Sequence, residues 1–309
     1  LNASGEWKGG NAMRRFDKNG QNILSKAIIY TLLGFFVLTV LYPIYYLLMY
    51  SLSTYGGIAN SRDPFMLLPA GFTWKAYELL FSQHYIHTGF AVTIFRTVVG
   101  SLLSVAVTAL AAFALSKKEL PGRKLITWFF LVNLFFVGGL IPTYLTVKAV
   151  GLIDNIWVLV LLPLFNTYYI MLLRSFFMGI PESLEEAARI DGAGEIRTFT
   201  SIILPIAVPS LLTIGTWVFF THWNTWFDSM IYIQTTSKHV VQIHIRKLVI
   251  EQSNMLMSGS YIVGGKAGQP TEDSMRSAGI MITIIPVLIV YPFVKNFFSK
   301  GMVLGAVKE

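Results

Sequence analysis

The sequence predicts an all-α integral membrane protein with six transmembrane helices and both termini on the cytoplasmic side. Three observations lead there. Of 309 residues, 54% are hydrophobic and only 13% charged, about half the roughly 25% charged content of a soluble domain. The apolar residues gather in runs of about 20, the length that crosses a ~30 Å hydrocarbon core at 1.5 Å per residue. Lys and Arg collect at alternate ends of those runs, fifteen on the sides read as cytoplasmic against eight in the outer loops, with Arg96 left inside a span.

The elements follow in order. Residues 1–27 are polar and basic and read as a cytoplasmic tail. The first span is Ile28–Met49, with Pro43 as a tolerable kink. It is too long for a signal core and no small-residue cleavage site follows it. A polar loop, 50–87, precedes the second span, Gly89–Leu115. Basic residues surround the turn at Pro121-Gly122, and the third span, Leu125–Val147, contains Gly138-Gly139. The fourth, Asn155–Phe176, contains Pro163. A charged cytoplasmic loop, 179–200, leads into the fifth span, Ser201–Phe220. An extracytoplasmic excursion, 221–277, includes an alternating stretch at Val240–Ile250 that fits a strand or a surface helix. The sixth span is Ala278–Phe298, and 299–309 form a cytoplasmic tail.

Composition excludes several classes. Without cysteine there are no disulfides, thiolate zinc sites or thiol nucleophiles. The net charge of +8 flanks apolar runs instead of forming a stripe, which argues against nucleic acid. No phosphate-cradling Gly-rich loop, His-Glu-x-x-His or Gly-x-Ser-x-Gly occurs, and the histidines lack metal spacing. The chain is therefore expected to catalyse nothing and to bind no cofactor itself.

The loop at 181–205 carries the functional signal. Pro181 suits a helix start; Leu184, Ala187, Ala188 and Ile190 form a small apolar face; Gly192 and Gly194 stop the helix. A second short segment, Glu195–Ser201, enters the fifth span. The spacing Glu186-Ala187-Ala188, three residues, Gly192, nine residues, Ile202, one residue, Leu204-Pro205 resembles the full signature of permease subunits of binding-protein-dependent ABC importers. Ile190-Asp191-Gly192-Ala193, Trp223-Asn224 and the C-terminal Lys300-Gly301 with Gly305 and Lys308 are similar to its carbohydrate branch, of the maltose importer's shorter-permease type.

That resemblance implies an ABC importer permease fold of the maltose type, in a multi-pass protein of the bacterial inner membrane. Its partners would be a second permease subunit, two ABC ATPase subunits, an extracytoplasmic solute-binding protein and membrane lipid. ATP and Mg would be used on the ATPases. The implied cargo is an oligo- or polysaccharide, an acidic one such as alginate included. Glu186, Ala187 and Ala188 would face the ATPase cleft with Glu185, Arg189, Asp191 and Ala193 beside them, Gly192 would turn the chain, and Leu204 and Pro205 would open the fifth span. Lys300, Gly301, Gly305 and Lys308 would reach the ATPase. Met255, Leu256, Gly259 and Tyr261 would meet the binding protein.

From the residues themselves, Trp217, Trp223, Asn224, Trp226 and Asp228 suit a sugar path or outer gate, or an interfacial aromatic belt. Asn166 and Tyr169 line the path or bond across helices. Arg96 snorkels, touches cargo or pairs with another helix. The excursion's charges leave +1, which leans toward an anionic saccharide. A permease of the same class with a non-carbohydrate cargo is the closest rival reading. A secondary transporter would need carboxylates near the bilayer midplane, and acidic residues avoid these spans.

Overall fold

The computed structural model describes residues 10–136, 138–257 and 268–306, with side chains for 25–136, 138–250 and 268–292. Its elements are helical; among the described residues the only β pairings are isolated bridges, Ser53 with Phe72 and Thr54 with Pro270. The chain divides into two compact units, residues 1–76 with 264–278, and 77–263 with 279–309.

In the first unit, α1 runs Gly10–Ser51. It starts inside the segment expected as a polar tail, because residues 10–27 hold no proline and little else that stops a helix. Its apolar side chains from Ile28 to Leu41 are exposed, as suits a lipid-facing span. Thr54 caps α2 (Tyr55–Asn60) by accepting a hydrogen bond from Gly57 N at 3.1 Å. Buried Ser53 ties this turn down: its Oγ accepts from Ala70 N at 2.9 Å and its carbonyl from Ser274 Oγ at 3.1 Å.

Beyond α3 (Lys75–Phe81), the second unit is built on α4 (His84–Ser116). The buried face of α4 is its small and polar one: Thr93, Arg96, Thr97, Gly100, Ser104, Thr108 and Ala112. Its exposed face is apolar, with Ile94, Val98, Leu110 and a 67% exposed Leu102. That inversion follows from the solvent. Lipid costs apolar side chains nothing, and small residues let helices pack closely.

The third expected span is not one helix. It comes as α5 (Arg123–Phe135) and α6 (Leu140–Ala149), bent by 119°; Gly139 between them has φ +83°, which only glycine adopts freely. The fourth is likewise split into α7 (Val158–Leu161) and α8 (Thr167–Phe177). Pro163 supplies no N–H there, and Asn166 Oδ1 restarts the helix by accepting from Tyr169 N at 3.3 Å. Next come α9 (Glu182–Ile190), α10 (Glu195–Thr198), a π turn at Phe199–Ile203 and α11 (Leu204–Asn224). The last three run on without a break, with Pro205 directly after the π turn and Pro209 inside α11. The described part of the excursion is largely helical too: α12 (Phe227–Tyr232), a 3₁₀ turn at Thr236–Lys238 and α13 (Val241–Met257), which makes all but the first residue of the alternating stretch Val240–Ile250 helix. α14 runs Glu272–Ala306.

By length and hydropathy, four helices among the described residues can cross a membrane: Ser25–Ser51, His84–Ser116, Glu195–Asn224 and Glu272–Pro292. The bent α5–α6 pair would make five. The main core of the second unit packs Ala109, Ala112 and Leu115 of α4 against Ile170, Leu173 and Phe177 of α8, and Leu211, Ile214 and Val218 of α11. This leaves α9 and α10 at one end of α4, and α12 and α13 at the other.

Candidate coupling and outer-gate sites

At the α9 end, the sequence builds a braced projection. Glu182 and Glu185 lie in the first turn of α9 and Arg189 in the last, each favourable to the helix dipole. The C-terminus closes with paired bonds, Gly192 N to Arg189 O at 3.0 Å and Ala193 N to Ala188 O at 2.9 Å. This closure places Gly192 at φ +77°.

Ion pairs fasten the loop to the end of α4. Lys117 pairs with Glu185 while resting 4.1 Å from the Phe113 ring centroid, and Lys118 meets Glu182 at 2.7 Å. Arg189 meets Glu195 at 2.9 Å across the turn. The Lys118 hydrogen bond holds the exposed Glu182 carboxyl below its ordinary range, and the bond to Glu195 raises Arg189.

The projection's outer surface mixes charge with bare apolar groups. Glu186, Ala187 and Asp191 are exposed, and Ile190 and Ile196 are 86% and 82% exposed. Ala188 corrects an expectation: it is 4% exposed and turned into the chain's own packing. At 100° per residue it shares a face with Glu185, which Lys117 holds inward. Leu204 and Pro205 are the first residues of α11, but the apolar span that contains them begins earlier, at Glu195.

At the other end lies a buried polar network. Arg96 is 1% exposed, so it does not snorkel. Its Nη1 and Nη2 donate to Asp228 Oδ1 and Oδ2 at 3.0 and 2.5 Å, and Nη1 also donates to Thr225 O at 2.8 Å. Of the three readings of this residue, pairing between elements is the one the geometry supplies. Trp223 is buried, with Nε1 donating to Thr283 O at 3.1 Å, and its carbonyl accepts from Gln242 Nε2. Thr93 Oγ1 accepts from Val241 N at 3.0 Å, and Ser229 Oγ bonds His239 Nδ1 at 3.1 Å. Burial lowers the pKa of His239, and that of His244 to about 4.

Asp154, itself at φ +59°, pins the loop that follows α12, 80 residues further along the chain. Its carboxylate accepts from Lys238 Nζ at 2.8 Å, Thr235 Oγ1 at 2.6 Å, and the amides of Gln234 and Thr235. The Lys238 bond above all, and then Thr235, holds it well below the usual carboxylate range.

The other nominated residues scatter. Tyr169 and Trp217 lie together, with ring centroids 6.0 Å apart. Asn224 is exposed and bonds its own helix at Phe220 O. Trp226 carries Arg246 4.3 Å from its ring centroid. Met255, Leu256, Lys300, Gly301 and Gly305 fall on helices whose side chains are outside the described residues there, and Gly259, Tyr261 and Lys308 lie outside the described residues altogether. Sequence reasoning missed Thr93, Gln242, Asp154 and Lys117, none of which sits in a motif.

No protein-family model matches the chain. It is 35% identical over 288 residues to the polygalacturonan/rhamnogalacturonan transport system permease YtcP of Bacillus subtilis, covering 93% of this chain and 99% of that one. This chain belongs to the carbohydrate-importer permeases of the ABC transporters. These permeases are multi-pass proteins of the bacterial cytoplasmic membrane. A crystal structure of a bacterial ABC transporter involved in the import of the acidic polysaccharide alginate matches with TM-score 0.81 at 30% identity, over 90% of this chain and 98% of its counterpart. A second, of a bacterial alginate ABC transporter in complex with an alginate pentasaccharide-bound periplasmic protein, matches with TM-score 0.58 at 14% identity, over 92% and 96%, a likeness of fold.

Proposed function

We propose that this permease is one half of a translocation path that imports an acidic oligo- or polysaccharide, driven through α9 by partner ATPase subunits. In that reading it has six spans, N-in and C-in, with cytoplasmic tails at 1–27 and 299–309, a coupling loop at 179–200 and an extracytoplasmic loop at 221–277. A second permease completes the path, a solute-binding protein delivers the cargo, and two ATPases hold ATP and Mg. The observation that carries it is the α9–α10 projection. Exposed Glu186 and Ile190 on α9 and Ile196 on α10 share a projection braced by Lys117 and Lys118. Bare isoleucines on a charged, non-lipid loop mark a surface that another protein covers.

Acidic cargo is supported by the relatives, since alginate and polygalacturonan are both uronate polymers. Reconstituted with its binding protein, the importer should hydrolyse ATP faster with oligouronates; stimulation by neutral oligosaccharides alone would overturn that cargo. Glu186→Lys should impair ATPase association or stimulated hydrolysis while membrane insertion persists. Unchanged hydrolysis and uptake would count against the coupling role.

A further inference from the structure

At the same end of α4 as α9, but on another flank, lies a cleft of about 600 Å³ that shares only Lys118 with the α9 loop and nothing with the outer network. Lys118, Arg123, Lys124 and Arg174 line it, with Thr127, Trp128 and Leu131 along its length and no carboxylate in its wall. Such a concentration of cations repels itself unless something negative occupies it.

The arginines are positioned by the protein but not neutralised by it. Arg123 Nε and Arg174 Nε both donate to Leu115 O, at 3.1 and 2.9 Å. One shared carbonyl therefore brings two guanidiniums together. Arg123 Nη2 has a further contact only with Met178 Sδ, at 3.6 Å. Among the described residues, Arg123, Lys124 and Arg174 have no ion-pair partner; Lys118 alone is committed, to Glu182. The first turn of α5 opens at the same place after Gly122, adding its positive dipole end. Thr127 Oγ1, one turn further on, is buried without a hydrogen-bond partner.

The lipid-facing side of the cleft is apolar. Trp128 is 66% exposed, and its neighbours Leu125 and Phe129 are exposed as well. A charged mouth at a helix start, continued by tryptophan and leucine along the helix, has the polarity profile of a phospholipid: phosphate first, acyl chain after. We infer that this cleft binds the phosphate of an anionic membrane phospholipid, with Arg123, Arg174 and Lys124 as its partners and the acyl chain lying along Trp128 and Leu131.

The test is native mass spectrometry of the solubilised assembly containing the full chain, after exchange into equal phosphatidylglycerol and phosphatidylcholine. Wild type should retain phosphatidylglycerol preferentially. Arg123→Gln with Arg174→Gln should weaken retention about 25-fold, roughly fivefold per removed charge. Because both arginines also support Leu115 O, Lys124→Gln on an exposed side chain serves as the second variant, with about a fivefold loss. Equal retention of the two lipids by wild type would overturn the inference, as would unchanged retention in Lys124→Gln. Displacement of the lipid by millimolar inorganic phosphate would show a soluble-anion site instead. Variants that lose ATPase subunits yet keep the lipid would reassign the cleft to a protein contact.

Discussion

Replacing Asp228 tests whether the outer segment is held by charge or by packing. The Arg96 side chain is 1% exposed and that of Asp228 12%, so water screens the pair little. Breaking a buried pair by removing one partner costs about 3–5 kcal/mol, because the remaining charge is left uncompensated. Here Arg96 Nη1 would keep Thr225 O, but Nη2 would lose its bond to Oδ2, and Ser229 N would lose its 2.7 Å bond to Oδ1. Asp228→Asn keeps one acceptor oxygen and should fall near ~3 kcal/mol; Asp228→Ala should approach ~5 kcal/mol. Removing both charges with apolar residues of similar size, Arg96→Met with Asp228→Leu, should cost less than either single change, since buried pairs are often replaceable by packing. The assay is reversible unfolding in mixed micelles, read as a double-mutant cycle with a coupling energy above ~2 kcal/mol. Strict additivity, or a cost below ~1 kcal/mol for Asp228→Ala, would refute the reasoning.

A Cβ built on Gly100 would stand 2.5 Å from His222 Cε1, so Gly100→Ala should destabilise the α4–α11 contact by about 1–3 kcal/mol, and His222→Ala should relieve much of it in the same unfolding assay. Gly192→Ala forces a side chain into φ +77°, at about 1–2 kcal/mol; faster amide exchange across Ala187–Ala193 should report the loosened loop, and unchanged exchange would count against the turn's role. His239 and His244 have pKa values depressed by burial, His244 to about 4. The unfolded state therefore binds more protons below its ordinary pKa, so their contribution is whole above ~6.5 and drains away as pH falls toward 4. Amide exchange in 229–245 should rise over that window, and His244→Phe should flatten the profile.

Long apolar patterns were legible in the sequence, and so was the helix-turn-helix of α9 and α10. The spans expected at Gly89–Leu115 and Ser201–Phe220 lie within unbroken helical stretches, the second of them in spite of Pro205 and Pro209. The third and fourth spans misled because Gly138-Gly139 and Pro163 looked like kinks that a membrane helix tolerates, and whether such a residue bends or breaks a span depends on neighbours that local sequence does not name. Arg96 was marked as costly, which was right, but its partner lies 132 residues away. Asp154 and Lys238, 84 residues apart, gave no local signal either. The inward turn of Ala188 was available from helical arithmetic once Glu185 was paired, and that pairing is itself tertiary.

The two candidate sites lie at opposite ends of one element. Glu195 to Asn224 is a continuous helix of 30 residues, about 45 Å at 1.5 Å per residue. Glu195 meets Arg189 at one end, and Trp223 is bonded to Thr283 O at the other. A stiff rod conveys displacement, but coupling also needs a seam with two arrangements. The face of α4 buried against its neighbours is suited to be that seam. Among the described residues, the hydroxyls of Thr97, Ser101 and Ser104 and both ring nitrogens of His222 have no hydrogen-bond partner within it. Parting α4 from α11 there would break no hydrogen bonds of these groups and would let each gain one, offsetting part of the packing lost. The π turn at Phe199–Ile203, where Leu204 N reaches back to Phe199 O, is the place where the rod can take up strain before it transmits it. One helical element, with a π turn near its α9 end and unpaired hydroxyls and a histidine along its seam, thus links the α9 end of the unit to the Arg96–Asp228 end.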